Sequence, residues 1–211
     1  MASAAEGLGL AVAGASPEGV ALGSVRVVDR SGSEILLRTH VLGDWLLLPV
    51  QETASQVGVT VAWDRESDAL ILEGRPVFGA FIIENRAFLP HDRLAELLGV
   101  RIRWSPSGTV AALETAEVTI SSRGRRPASA QGFVWGSEVY VPLRLVTDHL
   151  QYTLGWNQAT KTAYIQGIPI RGVVREGRVY AAVSALRDVI PALEYRWNEE
   201  EFRLTLVFNE G

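Results

Sequence analysis

Hydrophobic and polar positions along the chain change rhythm in a fixed order, and they do so four times. Alternation of period two marks a strand with one buried face, and a 3.6-residue spacing marks a helix with one buried stripe. Each cycle opens on a tight turn: Leu42-Gly43-Asp44, Glu84-Asn85-Arg86, Trp135-Gly136-Ser137 and Arg175-Glu176-Gly177. Gly, Asn and Asp there tolerate the positive φ of a hairpin. Short β-rich runs follow at 45–48, 87–89, 139–141 and 179–181. Pro49, Pro90 and Pro142 then stand at the expected first position of a helix, where a missing N–H costs nothing. The third helix is predicted from Leu143, Val146 and Leu150, and the fourth from Val183, Leu186 and Ile190. Leu94 and Leu98 mark the second, and Val50, Ala54 and Val57 mark a weaker first. Gly58, Gly99 and Pro191 read as helix stops. Period two then returns at 59–63, 100–104 and 152–156, before a polar turn and a further strand.

Trp63, Trp104, Trp156 and Trp197 hold the same place in each cycle, at intervals of 41, 52 and 41 residues. A fixed period of this size means one supersecondary unit reused around a common core. The unit reads strand, turn, strand, short helix, strand, turn, strand. It predicts an α+β class: antiparallel sheets curled around short helices, in two pseudo-symmetric halves. A hairpin pattern at 24–29 and 34–38 precedes the first unit. The expected organisation is a flexible tail at 1–23, one domain at 24–120 holding repeats 1 and 2, a linker at 121–130 and a second domain at 131–211 holding repeats 3 and 4. The linker assignment rests on the small and polar residues of 121–130. The four repeated tryptophans are expected in the core, each indole N–H reaching a sheet-edge partner. Trp45 and Trp135 fall outside the shared position and are candidates for an exposed binding surface, although packing would account for them too.

Composition narrows the function. A net charge of −4 gives no basic footprint for nucleic acid. Basic side chains are outnumbered in residues 1–120 and predominate in 121–211. Without cysteine, disulfides, thiolate catalysis and Cys-based zinc sites are excluded. No apolar run reaches the length that crosses a bilayer as a helix. The small, apolar start lacks a cationic region, so it reads either as a mature secreted chain behind an added methionine or as a flexible tail.

Val139-Tyr-Val-Pro-Leu-Arg144, then Leu154-Gly-Trp156, then Thr160-Lys-Thr-Ala-Tyr-Ile165 resemble the copper amine oxidase N-terminal-like stalk domain, whose pattern occurs in pairs. Copy one keeps Leu48-Pro49 and Trp63-Asp64, and copy two keeps Leu89-Pro90 and Trp104. Copy four loses the proline and gains one residue before Trp197. The resemblance implies a small antiparallel sheet curled around a helix, carried on secreted or surface-attached bacterial proteins. It implies no copper or quinone centre and brings no ligand-binding residues.

Candidate chemistry is sparse. His40, His91 and His149 occupy different places in the repeat, so no metal or cofactor is expected. Asp64-Arg-Glu-Ser-Asp68 has alternating acids but lacks the glycine and closing glutamate of a calcium loop, and a solvated turn accounts for it. No nucleophile elbow or phosphate loop is present, and no catalytic residue is assigned. Arg123, Arg125 and Arg126 form a basic cluster that suits an anionic polymer or acidic partner, or simply an exposed linker. The expected function is a non-catalytic extracellular stalk or adhesion-type module that spaces or anchors a partner at the bacterial cell surface. Alternatives are a cell-wall or polysaccharide-binding module, with Trp45, Trp135 and the three arginines as ligand surface, and an accessory domain of a secreted enzyme. The expected partner is a surface protein or wall polysaccharide.

Overall fold

The computed structural model describes residues 20–29, 31–67, 69–105 and 108–209. Most of the expected tail therefore lies outside the described residues, but its last residues do not. Strand β1 already begins at Val20 (Val20–Val28).

β1 forms the expected hairpin with β2 (Glu34–Leu42). β3 (Trp45–Pro49) leads into α1 (Val50–Ser55), followed by β4 (Val61–Asp64), β5 (Ala69–Leu72) and β6 (Arg75–Val77). β7 (Phe81–Ile83), β8 (Arg86–Pro90), α2 (His91–Leu98), β9 (Arg101–Arg103) and β10 (Val110–Glu114) complete the first series. The second series runs β11 (Ala116–Ser122), β12 (Ala128–Trp135), β13 (Glu138–Pro142), α3 (Leu143–Leu150), β14 (Leu154–Asn157), β15 (Thr162–Ile165) and β16 (Ile168–Arg171). It ends with β17 (Val173–Arg175), β18 (Arg178–Ala182), α4 (Val183–Val189), β19 (Leu193–Asn198) and β20 (Arg203–Phe208). Strand dominates, with short helices between curled, largely antiparallel sheets.

One seven-stranded sheet has the order β7-β8-β3-β2-β1-β10-β9, and the other β17-β18-β13-β12-β11-β20-β19. Two three-stranded sheets, β4-β5-β6 and β14-β15-β16, stand beside them. Within each large sheet one pair is parallel, β1 with β10 and β11 with β20. Tight turns set the register locally. Glu84 and Asn85, and again Glu176 and Gly177, both take positive φ, as a two-residue type I′ hairpin needs.

Each large sheet buries one face on its own helices. Leu46, Leu48, Val50, Ala54, Leu94 and Leu98 belong to one core, and Val139, Val141, Leu143, Val146, Leu186 and Leu204 to the other. At about 25 cal/mol per Å² these side chains supply most of the driving force for folding.

Two expectations shift. Pro49, Pro90 and Pro142 do not open the helices; they close the preceding strands and stand at the N-cap with extended ψ of 120°, 139° and 122°. Proline's fixed φ suits either place, so sequence alone leaves the offset open. The stretch 121–130 is not a linker. It is the end of β11, a turn and the start of β12, with Ala116↔Gly132 through Ile120↔Ala128 paired. Small and polar residues serve a hairpin tip as readily as a linker. The chain instead crosses between sheets at Thr115, so residues 116–120, expected with the first domain, belong to the second sheet.

Candidate functional site

Two grooves occupy matching places, one beside each three-stranded sheet. The larger, about 800 Å³, lies between β14, the first turn of α3 and the β17–β18 hairpin. Leu145, Leu154, Trp156 and Val179 give it an apolar floor, and Arg144, Lys161 and Arg178 stand at its rim with Asp148. The other, about 620 Å³, is lined by Val61, Ala62 and Trp63 of β4, by Gln51 and Glu52 of α1, and by Ile82 and Arg86 of the β7–β8 hairpin. Counting from Pro49 and Pro142, Gln51 matches Arg144 and Trp63 matches Trp156, and Arg86 and Arg178 each close the two-residue hairpin that follows.

The grooves correct the reading of the repeated tryptophans. Trp63 is 43% exposed, whereas Trp104, Trp156 and Trp197 are half-buried and pack against the two cores as expected. Trp63 and Trp156 stand on three-stranded sheets too narrow to cover an indole on both sides, and Trp104 and Trp197 stand at the outer strands β9 and β19 of the large sheets. The expected N–H partners exist but are local: Trp104 Nε1 donates to the Gly108 carbonyl at 3.0 Å, Trp156 Nε1 to Gln158 Oε1 at 2.8 Å, and Trp197 Nε1 to Glu199 Oε2 at 3.0 Å. These three indoles are thus held in place from within their own turns.

The residues expected to form a binding surface are not brought together. Trp45 is 51% exposed on the turn into β3. Trp135 is instead half-buried between the two sheets: its Nε1 donates to the Leu97 carbonyl at 3.1 Å, and the Arg75 guanidinium lies 4.2 Å from its ring. It is no free ligand surface. Arg123 and Arg126 are exposed beside the β11–β12 turn, but Arg125 turns back to donate to the carbonyl of His149 at 2.7 Å and to Gln151 Oε1. A helix C-terminus offers unpaired carbonyls, and Arg125 satisfies one of them.

Sequence reasoning missed Arg175. It is 5% exposed on β17, donates to both carboxylate oxygens of Glu73 and to the Leu98 carbonyl, and lies 3.7 Å from the Phe133 ring. Phe133 stacks on Tyr140 with ring centroids 4.9 Å apart and packs against Tyr180. The Val134 N–H donates to the Gly99 carbonyl at 2.8 Å, which fixes the end of α2 against β12. The available signal was the repeat itself, since Ile83 stands where Arg175 does.

Titratable groups do not converge. His40 is buried edge-on to Phe88, and burial lowers its pKa. His149 Nε2 lies 3.0 Å from Ser122 Oγ and is likewise lowered by burial, with the Arg125 charge adding. His91 packs edge-on to Trp104. Among the described residues no group of three or more His, Asp or Glu side chains is placed to hold a metal ion. The Asp64 carboxylate accepts from the Glu66 N–H and the Ser67 hydroxyl within its own turn, and Asp68 lies outside the described residues. No described helix is long and apolar enough to cross a membrane.

No family model, curated protein or solved structure matches the chain.

Proposed function

We propose that the chain is a non-enzymatic spacer and anchor of the bacterial cell surface, built from two copies of one stalk-like unit. Its similarity in sequence to stalk domains supports this reading, and one structural observation carries it. The passage between the sheets is the single residue Thr115, and the buried Arg175–Glu73 pair clamps the two halves on another side. A spacer must transmit position, and a junction this short with a second fixed point leaves little freedom for a hinge. Spin labels at exposed Ser55 and Ser184, one in each half, test this by their distance distribution. A single narrow distance is expected, and a broad or two-peaked one would sink the spacer reading.

A second reading, a wall-polysaccharide module, is favoured by Trp45 and Trp63, whose indoles remain open to solvent. Pull-down on purified peptidoglycan and surface glycans separates the two. Saturable binding that is lost in Trp45→Ala or Trp63→Ala supports the polysaccharide reading.

A further inference from the structure

We propose that the groove beside Trp156 takes an extended acidic peptide from a partner protein, added as a strand along β14. This rests on the anchoring half of the function above and names the chemistry of the partner.

Ladder parity provides the first argument. The Gln166 N–H donates to the Thr153 carbonyl at 3.0 Å, so that pair, next to Leu154↔Ile165, is a hydrogen-bonded one. Antiparallel ladders alternate, so Gly155 and Asn157 turn their backbone groups toward β15, and Leu154 and Trp156 turn theirs away. β14 is an outer strand of its sheet, which leaves those outward groups facing the groove. Consecutive residues Leu154, Gly155 and Trp156 line it, as they must where a groove follows a strand edge and not one face. Across the groove, Arg175↔Arg178 closes a two-residue turn, so Val174 also points its backbone groups outward from β17, the outer strand of the large sheet.

The opposite edge of the same small sheet is blocked. Pro169 lies in β16 opposite Tyr164, and Pro76 holds the matching place in β6. A proline on an outer strand has no donor and discourages pairing with another chain. β4 and β14 carry no proline at all. Protection on one side alone marks the other as available.

Charge selects between the grooves and names the ligand. Arg144, Lys161 and Arg178 make no ion pair among the described residues, and Asp148 is the acid beside them. In the first groove Arg86 is already paired with Glu52 at 3.2 Å, which leaves Arg65 as its one basic side chain without an ion pair among the described residues. The second groove therefore favours acidic side chains, and its apolar floor takes the alternate residues of an extended strand, which repeats at about 3.3 Å per residue. A glycan presents no N–H and C=O groups at that repeat.

The probe is a blocked synthetic peptide of alternating valine and glutamate. Comparators are the same peptide N-methylated at alternate residues, a valine–lysine peptide and a uronic-acid oligosaccharide. Amide NMR titration should show saturable shifts at Leu154, Trp156 and Val174 with the acidic peptide. Binding should vanish on N-methylation and weaken about tenfold in Arg178→Glu. Leu154→Pro, which removes an outward donor together with a side chain of the apolar floor, should also weaken it, and Lys161→Glu stands in if that variant fails to fold. Equal binding of the N-methylated or lysine peptide, no peptide binding, or binding of the oligosaccharide alone would overturn the proposal. The failure is separable from that of the anchor reading. If binding to isolated cell envelopes persists in Arg178→Glu, the anchor stands and this groove is not its site.

Discussion

Arg175 and Glu73, 102 residues apart, form a bidentate pair at 2.7 and 3.1 Å that joins the two large sheets' halves of the chain. The Arg175 side chain is 5% exposed and that of Glu73 12%. Burying both ions costs desolvation, which the paired geometry, the Leu98 carbonyl and the Phe133 ring offset. The net contribution of the pair is small, but loss of one partner leaves the other charge buried and unpaired. Arg175→Ala should therefore cost about 3–5 kcal/mol in urea melts. Arg175→Met combined with Glu73→Leu should restore most of it. A double variant as unstable as the single one would show that the pair does more than satisfy itself.

The exposure of the repeated tryptophans sets an order of stabilities. Leu143 is fully buried, and Leu143→Ala should cost about 2–5 kcal/mol through lost burial and the cavity left behind. Trp63→Ala should cost less than Leu143→Ala, with Trp156→Ala between them because Trp156 packs against the second core. A loss at Trp63 equal to that at Leu143 in denaturant melts would place its indole in the core after all.

Local chemistry made the strands, hairpins and short helices legible. Glu84-Asn85 and Glu176-Gly177 announce their turns, and Leu143, Val146 and Leu150 announce α3 and its buried stripe. What local pattern cannot say is what covers a face. The alternation around Trp63 fixes which residues share a side of β4, while the width of the sheet decides whether that side is dry. The 121–130 segment failed for the same reason, since a hairpin tip and a linker share a composition. The alternation Ala116, Val118, Ile120, all fully buried, was the signal that a strand preceded it. The groove was beyond reach, because free edges and ladder parity exist only once the register is known.

Acidification should destabilise the protein in two stages. His149 is lowered from 6.5 by burial and by Arg125; His40 is lowered from 6.5 by burial, with Glu84 opposing and Arg38 adding. Between their folded values and 6.5 the unfolded chain binds more protons, so stability is full above 6.5 and falls as pH drops below it. Glu114 follows below 4.5: burial would raise it, but hydrogen bonds from Arg103 and Arg101 outweigh that and lower it. Asp29 follows below 3.8, lowered chiefly by the Ser31 hydroxyl. Urea midpoints against pH should show both stages, and His40→Leu with His149→Gln should remove only the first. A wild-type profile that stays flat down to the carboxylate range would refute the assignment to histidine.

Trypsin should find Arg123 at the β11–β12 turn, since the Arg126–Pro127 bond resists it, yet cutting there should not separate the molecule. The fragment that ends at Arg123 carries β11 away from the second sheet in sequence but not in space. β11 lies between β12 and β20, paired antiparallel with one and parallel with the other. Ala116, Val118 and Ile120 on it are fully buried in the second core. Separation would expose those side chains and break both ladders, besides parting Arg175 from Glu73. The nicked protein should therefore elute from a native sizing column as one particle of the original size and resolve into two fragments only in denaturant. Had 121–130 been a linker between independent domains, the same cut would release two smaller particles, and that elution profile would overturn the placement of β11.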